Sequence, residues 1–172
     1  LDHNLYVYSQ EAAESFAADG LEHYTVSLEL NQKELGHMPN QSGEFLLYGY
    51  APLMISAQCI YKNYDQCYKN KNNAEKNLYL KDRYFKKFLI KKNCEDCYNM
   101  IYNSQPISLF HHADGIRKLE CGSYRISFVC EGRKQIQQVL GTFENTFIKG
   151  QQAAAPEEKD SFTNGHFRRG VE

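Results

Sequence analysis

Four of the six cysteines fall between Cys59 and Cys97, in a stretch that interrupts an otherwise regular alternation of short strand and helix signals. Cys59 and Cys67 are separated by seven residues, and Cys94 and Cys97 form a C-x-x-C pair. A C-x-x-C turn can aim two thiolates at one metal ion, and soft thiolates suit zinc or iron–sulfur clusters. Four thiolates from two segments complete a site. The C-x7-C spacing is foreign to zinc ribbons and favours an irregular cluster site, and Lys91 and Lys92 favour ionised thiols. The alternative is a set of unrelated free thiols. Cys130, on an alternating apolar face, reads as core, and Cys121 is open. Leu1-Asp2-His3-Asn4 offers no export signal, so thiols in this number point to a reducing, cytoplasmic compartment.

On either side of this stretch the units are short. Leu5–Tyr8 reads as a strand. Ser9 or Gln10 caps a helix over Glu11–Ala18, which Asp19-Gly20 ends. Tyr24–Leu28 reads as a second strand, Asn31–Leu35 as a helical turn stopped by Gly36, and Phe45–Tyr50 as a third strand. Alternation of this kind predicts parallel strands in an α/β layer. Residues 56–100 form an excursion with a small hairpin, Leu78–Leu80 and Phe85–Ile90 around Lys81-Asp82-Arg83. Asn103–Pro106 is turn chemistry. After it come a short helix over Ala113–Leu119, a strand over Tyr124–Cys130 and an amphipathic helix over Lys134–Phe147. The Ala-, Pro- and acid-rich residues 151–160 read as a linker or mobile loop, and residues 161–172 as a Gly/Arg-rich tail.

The chain has 172 residues, 42% hydrophobic and 24% charged, as expected of a globular domain. Its longest apolar runs are a few residues, against the ~20 that a membrane span needs. The net charge of −1 excludes a wholly basic nucleic-acid binder but hides an asymmetry. Residues 1–60 carry one base and eight acids, residues 61–97 ten bases and five acids, and residues 98–172 nine bases and eight acids. The basic middle is either a solvated loop or a patch facing phosphates.

Two acids are placed for chemistry. Glu29 and Glu131 each follow a predicted parallel strand, where α/β active sites form. The competing reading for each is a carboxylate before a helix. His111-His112 reads as a surface loop. In Gly165-His166-Phe167-Arg168-Arg169-Gly170, the glycines permit close backbone approach and the arginines suit an anion. No nucleophile elbow, phosphate loop, dinucleotide fingerprint or local triad signature is present.

Taken in order, several stretches resemble the collagenase-like peptidase family (peptidase family U, number 32). They are Ser27–Leu30, Tyr48–Met54, Cys59 with Cys67, Leu80–Arg83, Cys97 with Ile101–Ser104, Tyr124–Phe128 and Gly165–Glu172. The resemblance implies the later strands and helices of a TIM-like (β/α) barrel, a partial barrel over residues 1–150 with the Cys-rich excursion inside it. A full barrel needs ~250 residues, and the chain lacks an initiator Met, so an N-terminal half of the parent protein is expected to be missing. Exposed edges of such a piece predict dimerisation.

The family name implies proteolysis, with peptide as substrate. Relatives associated with oxygen-independent hydroxylation imply a four-iron four-sulfur cluster, RNA as substrate and prephenate as oxygen donor. The resemblance assigns Cys59, Cys67 and Cys97 to the cluster, with Cys94 as the fourth ligand and Cys130 as the alternative. On this reading Glu29, Glu131 and Arg83 position substrate or donor, and His166, Arg168 and Arg169 bind it. The Cys spacing departs from the quinone-directed branch, which leaves RNA (transfer or ribosomal) as the expected substrate. Two alternatives stand beside it: a peptidase in which Glu29 or Glu131 activates water, and a non-catalytic scaffold stapled by zinc.

Overall fold

The computed structural model describes residues 1–60, 77–152 and 161–171. The chain divides into two compact units, Leu1–Gly49 with Ile107–Glu172, and Tyr50–Pro106. Strands are β1 (Tyr24–Thr25), β2 (Gly43–Gly49), β3 (Pro52–Ser56), β4 (Leu78–Lys81), β5 (Lys87–Asn93), β6 (Tyr98–Tyr102), β7 (Ile107–Ser108) and β8 (Ser123–Ile126). The α-helices are α1 (Gln10–Ala18), α2 (Gln32–Leu35), α3 (Ala113–Arg117) and α4 (Arg133–Phe143).

The first unit is organised by β2. Its Phe45-Leu46-Leu47 run is buried on both faces, with Leu47 fully inaccessible, as expected for a central strand flanked by parallel neighbours. Burying each such side chain stabilises the fold by about 1.5–3 kcal/mol. β1 and β8 both run parallel to β2, and Glu44 pairs with Thr25 and Ser123, so they flank it on opposite sides. β7 pairs antiparallel at the end of β2, through Tyr48 with Ser108 and Gly49 with Ile107. The result is a mixed α/β unit with parallel strands, and no sheet closes into a barrel among the described residues.

Helix signals in the first unit match well. Ser9 Oγ accepts from Ala12 N at 3.2 Å and starts α1. Asn31 and Glu34 form a reciprocal capping box on α2, which satisfies backbone donors that a helix start leaves open. Strand ends differ more. Over Leu5–Tyr8 no strand forms; a 3-10 turn spans His3–Leu5, with the Asp2 carboxylate accepting from His3 N at 2.9 Å. The expected Tyr24–Leu28 strand pairs only over Tyr24–Thr25. The expected Tyr124–Cys130 strand stops at Ile126. There the Glu131 carboxylate takes the N–H groups of Val129 and Cys130 at 2.7 and 2.9 Å, a local acceptor replacing the ladder. Cys130 is consequently half-buried in a turn, away from any strand face. The last helix gives way to a π-turn over Glu144–Ile148, whose Phe147 ring packs on Tyr124 and Phe143.

The second unit is a four-stranded antiparallel sheet in the order β3-β6-β5-β4. The expected hairpin is present, paired from Leu78–Ile90 to Lys81–Lys87, although Phe85 and Lys86 lie in its turn rather than in a strand. Leu89, Ile90, Asn99 and Ile101 are the buried residues of its described strands. No helix among the described residues is long and apolar enough to cross a membrane.

Candidate functional site

Three of the four predicted thiols are carried to one end of the second unit's sheet. β3 pairs with β6 through Ser56 and Asn99, and β5 with β6 through Asn93 and Tyr98. Cys59 follows β3 by three residues, and Cys94 and Cys97 lie in the β5–β6 turn, so all three leave from this end. The turn is shaped by Asn93, whose Oδ1 accepts from Glu95 N and Asp96 N at 3.1 Å each. Cys97 closes it in the left-handed region, with φ of 61°. The segment carrying Cys59 is tied down by buried Asn99, whose Nδ2 donates to Gln58 O at 2.5 Å. Cys59 and Cys94 are half-buried and Cys97 is exposed.

Soft donors from two segments suit a thiolate-bound metal or cluster by ligand type. Cys67 lies outside the described residues. Among the described residues no three His, Cys, Asp or Glu side chains are gathered as an ion would need. Cys121 sits in the first unit, where burial pushes its thiol up to about 11 and keeps it protonated at neutral pH.

The two predicted acids follow β1 and β8, whose C-terminal ends point the same way because both strands run parallel to β2. Glu29 is half-buried and accepts a hydrogen bond from the Tyr8 hydroxyl. Glu131 uses one carboxylate oxygen on its own turn, while Oε1 is buried with no hydrogen-bond partner among the described residues. Arg83 belongs to the second unit, at the β4–β5 turn, with its guanidinium carbon 4.7 Å from the Tyr84 ring centre.

His166, Arg168 and Arg169 occupy one tight turn. Phe167, only 3% exposed, anchors it edge-on against Phe45. The Phe167 carbonyl accepts from Gln32 N at 2.8 Å. His166 Nδ1 lies 2.9 Å from the Gly170 carbonyl and donates to it, so this ring braces the turn. Gly170 has φ of 74°, and a Cβ there would meet Asn31 Nδ2 at 3.0 Å. Arg168 and Arg169 are exposed.

Arg168 lines an open cleft with Asn31, Gln32, Lys33, His112 and Phe167. Two cations lining one cleft, Lys33 and Arg168, suit a carboxylate or phosphate. Burial holds the His112 imidazole below its ordinary pKa, with Arg168 and His111 adding to the effect and a hydrogen bond to Asn164 opposing it. Lys33 and His112 carried no sequence signal for this cleft, because only the docking of the tail turn on α2 brings them beside Arg168. Comparison with protein-family models, with curated proteins and with solved structures found no match to this chain.

Proposed function

We propose that the chain is the partial-barrel and Cys-rich portion of an RNA-directed hydroxylation enzyme related to the collagenase-like peptidases. The observation that supports this reading is that Cys59, Cys94 and Cys97 all leave from one end of the second unit's sheet. With Cys67, they would supply the four thiolates that a four-iron four-sulfur cluster takes. Such a cluster supplies electron transfer that side chains cannot perform. The chain's own residues do the rest. Lys33 and Arg168 hold the carboxylate of an oxygen donor in the cleft they line. His166 keeps the tail arginines in place through its bond to Gly170.

The test is to purify the chain without oxygen and measure iron, sulfide and zinc beside the visible spectrum. About four irons per chain, the complement of the proposed cluster, lost in Cys94→Ala and Cys97→Ala, is the expected result. Colourless protein with no iron after attempted reconstitution overturns the cluster. Zinc in its place favours a stapled scaffold. Peptide hydrolysis that survives thiol blocking favours the peptidase.

A further inference from the structure

The β4–β5 turn carries two large aromatic side chains in solvent. Tyr84 is 67% exposed and Phe85 is 73% exposed. Around them stand Lys81, Arg83, Lys86 and Lys87, with Asp82 as the one acid between Lys81 and Lys87. Asp82 is occupied: its Oδ1 accepts from Tyr84 N at 2.8 Å and from Lys86 N at 2.9 Å. Its backbone bonds Lys86 O through N at 3.1 Å and accepts from Phe85 N at 3.1 Å. The turn is therefore preorganised, and it holds Phe85 in the left-handed region with φ of 64°, a conformation costly for a bulky residue.

One feature of this tip makes little sense for an isolated hairpin. Lys81 and Lys87 are direct cross-strand partners, and like charges placed opposite each other destabilise a ladder. Each ring also has a cation against it. Lys81 Nζ is 4.4 Å from the Phe85 ring centre, and Arg83 lies over Tyr84. A partner that brings negative charge to the bases relieves the Lys81–Lys87 opposition, and the exposed rings offer it flat faces beside cations that can meet its phosphates.

We propose that this tip is a binding site for single-stranded nucleic acid, with Tyr84 and Phe85 as stacking platforms and Lys81, Arg83, Lys86 and Lys87 as phosphate partners. Every base has a stackable face, so recognition is tolerant of sequence. A duplex keeps its bases stacked on each other and offers the rings nothing but ends. An anionic membrane shares the charge complement, but inserting these rings would carry the cations beside them into the apolar layer, which is costly. The site lies before β5 and the Cys94–Cys97 turn after it, at the other end of that strand, and it shares with the proposed function only the class of partner.

The test is fluorescence anisotropy of a labelled ten-nucleotide oligouridine with the anaerobically purified full chain, whose iron content is read on the same sample. Expected is binding with a log K against log salt slope of about −3, from four phosphates at about −0.7 each. Tyr84→Ala and Phe85→Ala are each expected to weaken binding by about tenfold or more. Lys81→Gln/Lys87→Gln is expected to halve the slope without lowering Tm, because it also removes a like-charge pair. Circular dichroism confirms that these surface variants fold.

Absence of binding by the wild-type chain overturns the proposal. So does unchanged affinity in both aromatic variants, or equal affinity for a duplex of the same length. Binding to phosphatidylserine vesicles in place of the oligonucleotide would reassign the tip to a membrane surface. An iron-free chain that still binds oligouridine separates this inference from the cluster.

Discussion

Individual side chains decide more of this protein's stability than their sequence neighbourhood suggests. Phe167 lies in a Gly- and Arg-rich tail, yet it is buried edge-on against Phe45 and tilted against the His112 ring. Phe167→Ala is expected to cost about 3–5 kcal/mol, read as a lower urea midpoint, and to loosen the cleft that Arg168 lines. Two titrations have defined signs. Cys121 is raised from 9.0 to about 11 by burial, so its folded form holds a proton that the unfolded chain releases first. Stability therefore falls as pH rises from about 9 towards 11. Tyr24, raised to about 12 by burial and by the neighbouring Cys121, adds to the same loss at higher pH. His112 acts oppositely. Its folded pKa is lowered, so protonation favours unfolding, and Tm is expected to drop as pH falls through 6.5 and below. A Tm profile across pH, compared with Cys121→Ala and His112→Gln, measures each contribution.

Secondary-structure elements were legible where their signals are local. The Ser9 cap, the Asn31–Glu34 capping box and the turn around Asp82 depend on residues within four positions of one another. The capping box also braces the tail, since Asn31 lies against Gly170. Asn31→Ala is expected to cost about 0.5–2 kcal/mol and to increase hydrogen exchange at the 163–170 turn as well as in α2. Strands were less legible, because a strand's length is set by its partner. Tyr24–Thr25 and Ser123–Ile126 stop where β2 stops accepting them or where Glu131 intervenes. β3 escaped notice for a related reason. Leu53, Met54 and Ile55 are all exposed along it, so no alternation marks it; antiparallel pairing to β6 defines it instead.

At the scale of the whole molecule, the excursion expected over residues 56–100 is a compact unit over Tyr50–Pro106. Its two ends meet at a ladder pair, because Gly49 and Ile107 are antiparallel partners. Two-residue turns join such partners directly. Replacing Tyr50–Pro106 with Asn-Gly is thus expected to give a first unit that unfolds in a single cooperative urea transition followed by circular dichroism. An unfolded product would mean that the first unit depends on the second. The same arrangement explains why part of the candidate site was readable. The C-x-x-C pair and the two acids after strands announce themselves by spacing and position. Lys33 beside Arg168 does not, since about 135 residues separate them and chain separation carries no proximity signal.

Composition and local pattern alone determined a mixed α/β chain with capped helices, a basic Cys-rich interruption and a charged hairpin turn. These properties depend on side chains a few positions apart, whose interactions persist in any fold. The tertiary structure alone decided which strands pair, where they end and which distant groups share a surface. It set three thiols at one sheet end, docked the tail through Phe167 and placed Lys81 opposite Lys87. Those outcomes follow from ladder register and burial, which link residues far apart in the chain and are fixed only when the chain packs.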